Sequence, residues 1–512
     1  QSLNSITIGT QSGNTGQNNN SISIGYQSGY YNQNINSLAI GYQSGYSAQG
    51  STSVAIGYQS GYSGQQSSTI SIGNQSGQYL QGTGSIAIGT LSGMTNQNIY
   101  SISIGQNAGN YNQSSYNVAI GYQAAYGFQS SGSVAIGYQC GYTGQQSIST
   151  SIGYQSGYIL QGTGSVAVGY ICGYQQQASG AVAIGYQSGY CGQGTNSIAI
   201  GKQCGMFNQN IDAISIGYQC GYTGQFPNTI AMGFQSGYSR QASGAISIGY
   251  QSGYSSQGNA CIAIGNLAGS VAQGDNSLSI GVQAGQNSQG IQGIAIGVQC
   301  GQNLQLTRAI AIGYLAGQTS QGTGAIAIGS GTAQYNQGTG SVAIGTSAGF
   351  TSLGTNSICI GTYAGMTGVG SNCICIGYNA SSGTSLPNNT FATIRGMSTI
   401  SGGSNLTYNT FTGLVGVASS SLRYKTDIQL MPENYSDNVM NLEPVLFTYK
   451  DTKIPSFGLI AERVYEYYPI LAPTDHENIP YTVNYDLLSV LLLDRMKKFE
   501  KRIQRMEELL KN

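Results

Sequence analysis

The chain has 512 residues, 16 basic and 16 acidic for a net charge of zero, and is only 6% charged, with 79 glycines, 39 tyrosines and no tryptophan. Ordinary soluble domains are roughly a quarter charged, so most of this chain is not an ordinary compact domain, while its recurring Ile, Val and Tyr argue against disorder. It has no basic stripe to mark a nucleic-acid or anionic-membrane partner, and its longest apolar run, around Leu487 to Leu493, is too short to span a bilayer.

In chain order, the sequence opens at Gln1 inside a repeat and without Met, so it reads as the C-terminal part of something longer, with an attachment segment upstream. From Ile8 to Ile376 every sixteenth residue is Ile, apart from Val168 and Met232, and the residue after each is Gly, from Gly9 to Gly377, which makes 24 rungs in unbroken register. "SVAIG", Ser53 to Gly57, alternates large β-branched and small residues, the period of a short strand. Gly follows where the backbone bends, "YQSGY" supplies a second short segment, and a polar turn closes the unit. Two short strands in sixteen residues cannot bury an apolar face alone. The rungs must therefore stack in register as a parallel β-solenoid or β-roll shaft over residues 1–377. At roughly 4.8 Å per rung, the stack makes a rod of about 115 Å.

Three columns run along this rod. Nine residues after each Ile stands Gln, from Gln17 to Gln337, until Leu353 and Val369 replace it; stacking predicts a ladder in which each amide donates to one neighbour and accepts from the other. Tyrosines recur at Tyr26, Tyr42, Tyr58 and at Tyr30, Tyr46, Tyr62, where aromatic rows either stack on sugar rings or cover a thin wall with apolar area; the second use is expected. Cys140, Cys172, Cys204, Cys220 and Cys300 share one rung position that is elsewhere Ser or Ala, apart from Thr332, which predicts small buried residues made in a reducing compartment. Cys373 and Cys375 form a lone CxC with no His near, so neither a metal nor any other cofactor is expected. Asp212 and Asp275 are the rod's only carboxylates, too far apart in sequence to form a glycan-cleaving pair.

Residues 378–419 are a polar, nearly charge-free connector expected to be β-rich. From Arg423 onward the composition inverts, with 26 of the 32 charged residues and six of the eight prolines, and a separate small α+β domain is expected. A short helix is predicted in "FGLIAERVYEYYP" and a long one over 485–510. In the long helix Leu492, Met496, Phe499, Ile503, Met506 and Leu510 alternate steps of four and three, the seam of a parallel coiled coil; a trimer suits a rod of three chains. The single histidine, His476, lies in the polar stretch "PTDHEN" and reads as a solvated loop residue.

"SSLRYKTDI", "LEPVLFTYK", "FGLIAERVYEYYP" and "VNYDLLSVLLLDRMKKFEKRI" together resemble the intramolecular chaperone auto-processing domain of peptidase family S74 over residues 420–512. That domain ends bacteriophage tailspikes and tail fibres, fibres of other large viruses and myelin regulatory factor. The "SIAIG" rungs are similar to the YadA-type head repeats of trimeric autotransporter adhesins, although those run at about fourteen residues rather than sixteen. The first resemblance implies a homotrimer whose C-terminal domain templates fibre folding, then severs itself in front of a serine that works with a lysine five residues on. In this chain those positions are Ser420 and Lys425, with the scissile bond Ser419–Ser420, Arg423 in the motif's arginine place and Glu462 as a possible assistant. Many members carry Asp after the serine; here Ser421 stands there, and a nucleophile displaced by one residue stays open.

The expected function is thus a virion or tail fibre, assembled in the host cytoplasm and serving host attachment through an unidentified receptor or glycan, joined to other virion proteins by an N-terminal segment. At most it is a single-turnover, self-cleaving Ser-Lys endopeptidase. The alternative is a cellular surface adhesin of the trimeric autotransporter type, which needs an outer-membrane barrel anchor.

Overall fold

A computed structural model describes residues 2–380, 392–394, 406–408, 415–417, 425–450, 453–474 and 478–511. The chain divides into two units, Gln1–Ser398 and Thr399–Asn512.

The first unit is a parallel β-solenoid. Its main sheet contains 24 strands at a sixteen-residue step, from Ile6–Ile8 to Ile374–Ile376, each residue pairing with the one sixteen further on, as Ile136 does with Ile152. One more strand, Ala392–Ile394, joins this sheet in parallel after a step of eighteen. A second sheet is built from three-residue strands such as Thr143–Gln145 and Ile159–Gln161, again paired sixteen apart.

Residues with positive φ recur at fixed places in each rung. In the second rung these are Gly25 at 129°, Gln27 at 51°, Gly29 at 56°, Asn32 at 53° and Asn36 at 58°. This corrects one expectation: "YQSGY" is not the second strand. The left-handed Gln and Gly within it wind it into a tight turn, and the strand is the next three residues, ending on the ladder Gln.

Which strand residue points inward is decided by volume. The narrow interior takes only the small central residue, so Ala183 is fully buried while Ile184 beside it is 37% exposed. The two Ile columns therefore line an outer face. Inside, Ala, Ser and Cys pack against the ladder glutamines, which are buried from Gln17 to Gln337.

The predicted amide ladder is present in stretches rather than unbroken, as from Gln113 to Gln145 and from Gln161 to Gln209, and it has a direction. Gln129 Nε2 donates to Gln145 Oε1 at 2.9 Å, and Gln321 Nε2 to Gln337 Oε1 at 3.0 Å, always toward the C-terminal neighbour. Each Nε2 is also held by backbone: Gln209 donates to Ile198 O at 2.8 Å and to Ala213 O at 3.0 Å. A buried amide at every turn is tolerated because its polar atoms are paired. On the outer wall a second row runs the opposite way, with Gln43 Nε2 donating to Gln27 Oε1 at 2.8 Å.

In the second unit, strand β1 (Val445–Thr448) pairs antiparallel with β2 (Pro455–Gly458). Helices α1 (Ala461–Tyr467) and α2 (Tyr485–Lys511) follow, the second within one residue of its predicted span. Val439, Val464, Tyr468, Leu471, Ala472 and Leu491 form the core. No helix among the described residues is long and apolar enough to cross a membrane.

Candidate functional site

The sequence places cleavage chemistry at Ser419, Ser420, Lys425, Arg423 and Glu462. Ser419, Ser420 and Arg423 lie outside the described residues, as does His476. Lys425 is exposed, in an irregular segment. Glu462 sits in the first turn of α1, at the edge of a cleft of about 290 Å³ that Phe447, Pro480 and Tyr485 also line. Of the expected site, the described residues therefore include only Lys425 and Glu462.

They do contain another serine-lysine contact, which sequence reading missed. Ser436 precedes the 3-10 helix Asp437–Asn441 and is fully buried. Its Oγ donates to Asp494 Oδ2 of α2 at 2.6 Å and accepts from Lys498 Nζ at 3.0 Å, while Lys498 pairs with Asp494 at 2.7 Å. One turn away Arg495 pairs with Asp437. Each polar group of the trio is taken up by the others, and the serine hydroxyl already donates to a carboxylate rather than to a base. The cluster clamps the 3-10 helix to α2. The i,i+4 spacing of Asp494 and Lys498 is readable in the sequence; their partner 58 residues earlier is not.

The bonds from Lys498 and then Ser436 hold Asp494 below the 3.8 of an ordinary aspartate. A carboxylate depressed on folding contributes stability that is present above its unfolded value and lost as pH falls through the folded one. Because the described helices all lie in the second unit, helical ellipticity of the whole protein reports it. Asp494→Asn is expected to melt that signal at lower temperature than wild type at pH 6, and the gap should close as pH drops below 3.8. A gap unchanged by pH would assign the clamp to neutral hydrogen bonding alone.

The tyrosine columns stack as the rungs do. Along Tyr126, Tyr142, Tyr158, Tyr174 and Tyr190, successive ring centroids lie 4.9 to 5.2 Å apart with planes within 16° of parallel. Each ring face is occupied by the next ring, so within this run only edges and hydroxyls face outward and a sugar has no open aromatic face to stack on. The columns serve as wall cover.

The cysteines of the shared position are buried and not disulfide-bonded. Burial pushes the Cys140 and Cys172 thiols up to about 11, leaving them protonated at neutral pH. Among the described residues no group of three or more His, Cys, Asp or Glu comes together as metal ligands.

Two surfaces are unusually apolar. On the solenoid the outward Ile columns run the length of the main sheet. On α2 the seam stays open: Leu492 is 42% exposed, Met496 66% and Leu510 86%. Beside it Met440, Pro444, Phe457 and Leu488 line an apolar groove of about 490 Å³.

Residues 420–471 match the family model Chaperone of endosialidase, Peptidase S74. The match begins at the serine named from the sequence, includes Lys425 and Glu462, and stops before α2. No curated protein and no solved structure matches the chain.

Proposed function

We propose that the chain is the shaft of a homotrimeric fibre, on a virion surface or tail and used in host attachment, whose C-terminal segment templates assembly and is then cut away between Ser419 and Ser420. One observation carries this reading: a long sixteen-residue solenoid continues, in the same chain, into a segment matching the endosialidase chaperone family. A rod of near-identical rungs can slip by one repeat at little cost in energy, so three chains need alignment from one end, and a removable template supplies it.

Two further features support three copies. The Ile columns and the α2 seam are apolar surfaces that a single chain leaves exposed, and contiguous apolar patches this long mark interaction sites. A bundle of three closes the seam with knobs-into-holes packing and lets the Ile faces cover one another.

The cleavage proposed is serine-type. Lys425 Nζ takes the proton of Ser420 Oγ. The oxygen attacks the carbonyl carbon of Ser419, the C–N bond breaks, and the nitrogen takes the proton to become the new amino terminus of the released segment. Water then hydrolyses the ester left between the two. A lysine works as a base only where burial or neighbouring positive charge lowers its pKa, so a site built by several chains would couple cutting to correct assembly. Arg423 and Glu462 are the groups proposed to orient it. Buried reduced cysteines fit assembly in a host cytoplasm, with the finished fibre on the virion.

Expression of the chain should yield a C-terminal fragment of about 93 residues, beginning at Ser420. Ser420→Ala should leave the 512-residue chain whole while it still assembles. Mass spectrometry under denaturing and native conditions reads both. An uncut wild-type trimer would refute self-cleavage, and a monomer would refute the fibre.

A further inference from the structure

The central residue of each main strand varies only among small side chains, and this variation decides how the ladder glutamine of the same rung is satisfied. Where the centre is serine, its hydroxyl donates to that rung's own Gln Oε1: Ser71 to Gln81 at 2.6 Å, Ser103 to Gln113 at 2.7 Å, Ser151 to Gln161 at 2.6 Å, Ser215 to Gln225 at 2.6 Å. Ser247 and Ser279 do the same for Gln257 and Gln289, and Ser23 for Gln33.

Where the centre is alanine, the Oε1 depends on the preceding rung. Gln177 accepts from Gln161 at 3.2 Å, Gln193 from Gln177 at 3.1 Å, Gln209 from Gln193 at 3.4 Å, and Gln241 from Gln225 at 3.0 Å. Two alanine rungs that this bond does not reach, those of Gln49 and Gln65, have a buried Oε1 with no partner. So does Gln17; the residue sixteen before it, Gln1, lies outside the described residues.

The dependence runs in one direction only. Each Nε2 finds carbonyls of its own turn, so losing the C-terminal neighbour strands no donor. Losing the N-terminal neighbour orphans the acceptor of an alanine rung and leaves that of a serine rung satisfied. An unpaired buried acceptor lowers the population of the state that carries it roughly tenfold or more.

We infer that the serine-centred rungs are stopping points built into the solenoid: a rod frayed or incompletely laid down at its N-terminal side ends stably on the rungs of Gln33, Gln81, Gln113, Gln161, Gln225, Gln257 and Gln289 and passes quickly through the alanine rungs between them. The solenoid then opens in blocks of unequal length, each a serine rung with the alanine rungs that follow it. One such block runs from Ser151 to the turn before Ser215, the next from Ser215 to the turn before Ser247. This holds whether or not the rod is a fibre shaft, since it rests on bonds within one chain.

Native-state hydrogen exchange of the full chain, read by mass spectrometry of peptides from each rung, tests it. In wild type, amides of the rungs from Ser151 to Ala213 should exchange with one common opening rate, and the rate should step down at Ser215. In Ser215→Ala, Gln209 Nε2, which now lies 3.3 Å from Ser215 Oγ, takes over the Gln225 acceptor as in any alanine rung. The step at 215 should vanish, with opening of the preceding block slowed roughly tenfold. The converse variant, Ala183→Ser, should create a new step at the rung of Gln193, and it keeps the test decisive if Ser215→Ala folds poorly. Protection that changes smoothly along the wild-type rod, or steps that stay in place in Ala183→Ser, would overturn the inference.

Discussion

Alanine at Gly201 is expected to cost the solenoid on the order of 3–5 kcal/mol, far more than the same change at Gly164. Gly201 follows a ladder strand's last Ile, has φ of +122°, and a Cβ built there would lie 1.9 Å from Gly217 O of the next rung. The obstacle is backbone, in a stack whose spacing is fixed by hydrogen bonds on both sides, so the rungs would have to part. Gly164 has φ of +67° with nothing within 4 Å of its would-be Cβ, and its replacement costs only the left-handed strain of roughly 1–2 kcal/mol. Denaturant unfolding followed by strand ellipticity compares the two. Equal losses would mean that close rung stacking is not what holds a glycine at every such position.

That column shows why so much of the solenoid is legible in the sequence. A repeat without insertions imposes the same environment on each copy, so a position that tolerates one residue type announces itself: Gly after Ile, and Gln nine residues on. The place of the second strand is not legible, because the left-handed Gln and Gly within "YQSGY" decide the turn and a Gln carries no signal of a left-handed φ. The inward direction of Ala and Ser could not be read either, since alternation marks two faces without saying which is inside. Nor could the role of Ser against Ala at the strand centre, two residues that look interchangeable until the glutamine acceptor beside them is located. In the second unit α2 was readable from its heptads, whereas the Ser436 clamp joins residues 62 apart that no periodicity connects.

The seam of α2 yields the other large expected effect. Phe499→Asp combined with Ile503→Asp should leave a chain that neither trimerises nor cuts itself. Phe499 is 38% exposed and Ile503 51%, and neither belongs to the core in which Leu491 is buried. The double variant should therefore keep the helix and that core, since it removes nothing they bury. Burying an apolar side chain is worth about 1.5–3 kcal/mol, so two per chain in three chains is on the order of 10 kcal/mol, before the cost of bringing six carboxylates together at the axis. Glu500→Gln, one residue off the seam, serves as the neutral comparison. Light scattering reads the assembly state and denaturing mass spectrometry the cleavage, and the two should fail together if the cutting site is completed only by neighbouring chains. Monomers that still cut would place the whole site within one chain; trimers that persist would shift the task of alignment from α2 to the Ile face of the rod.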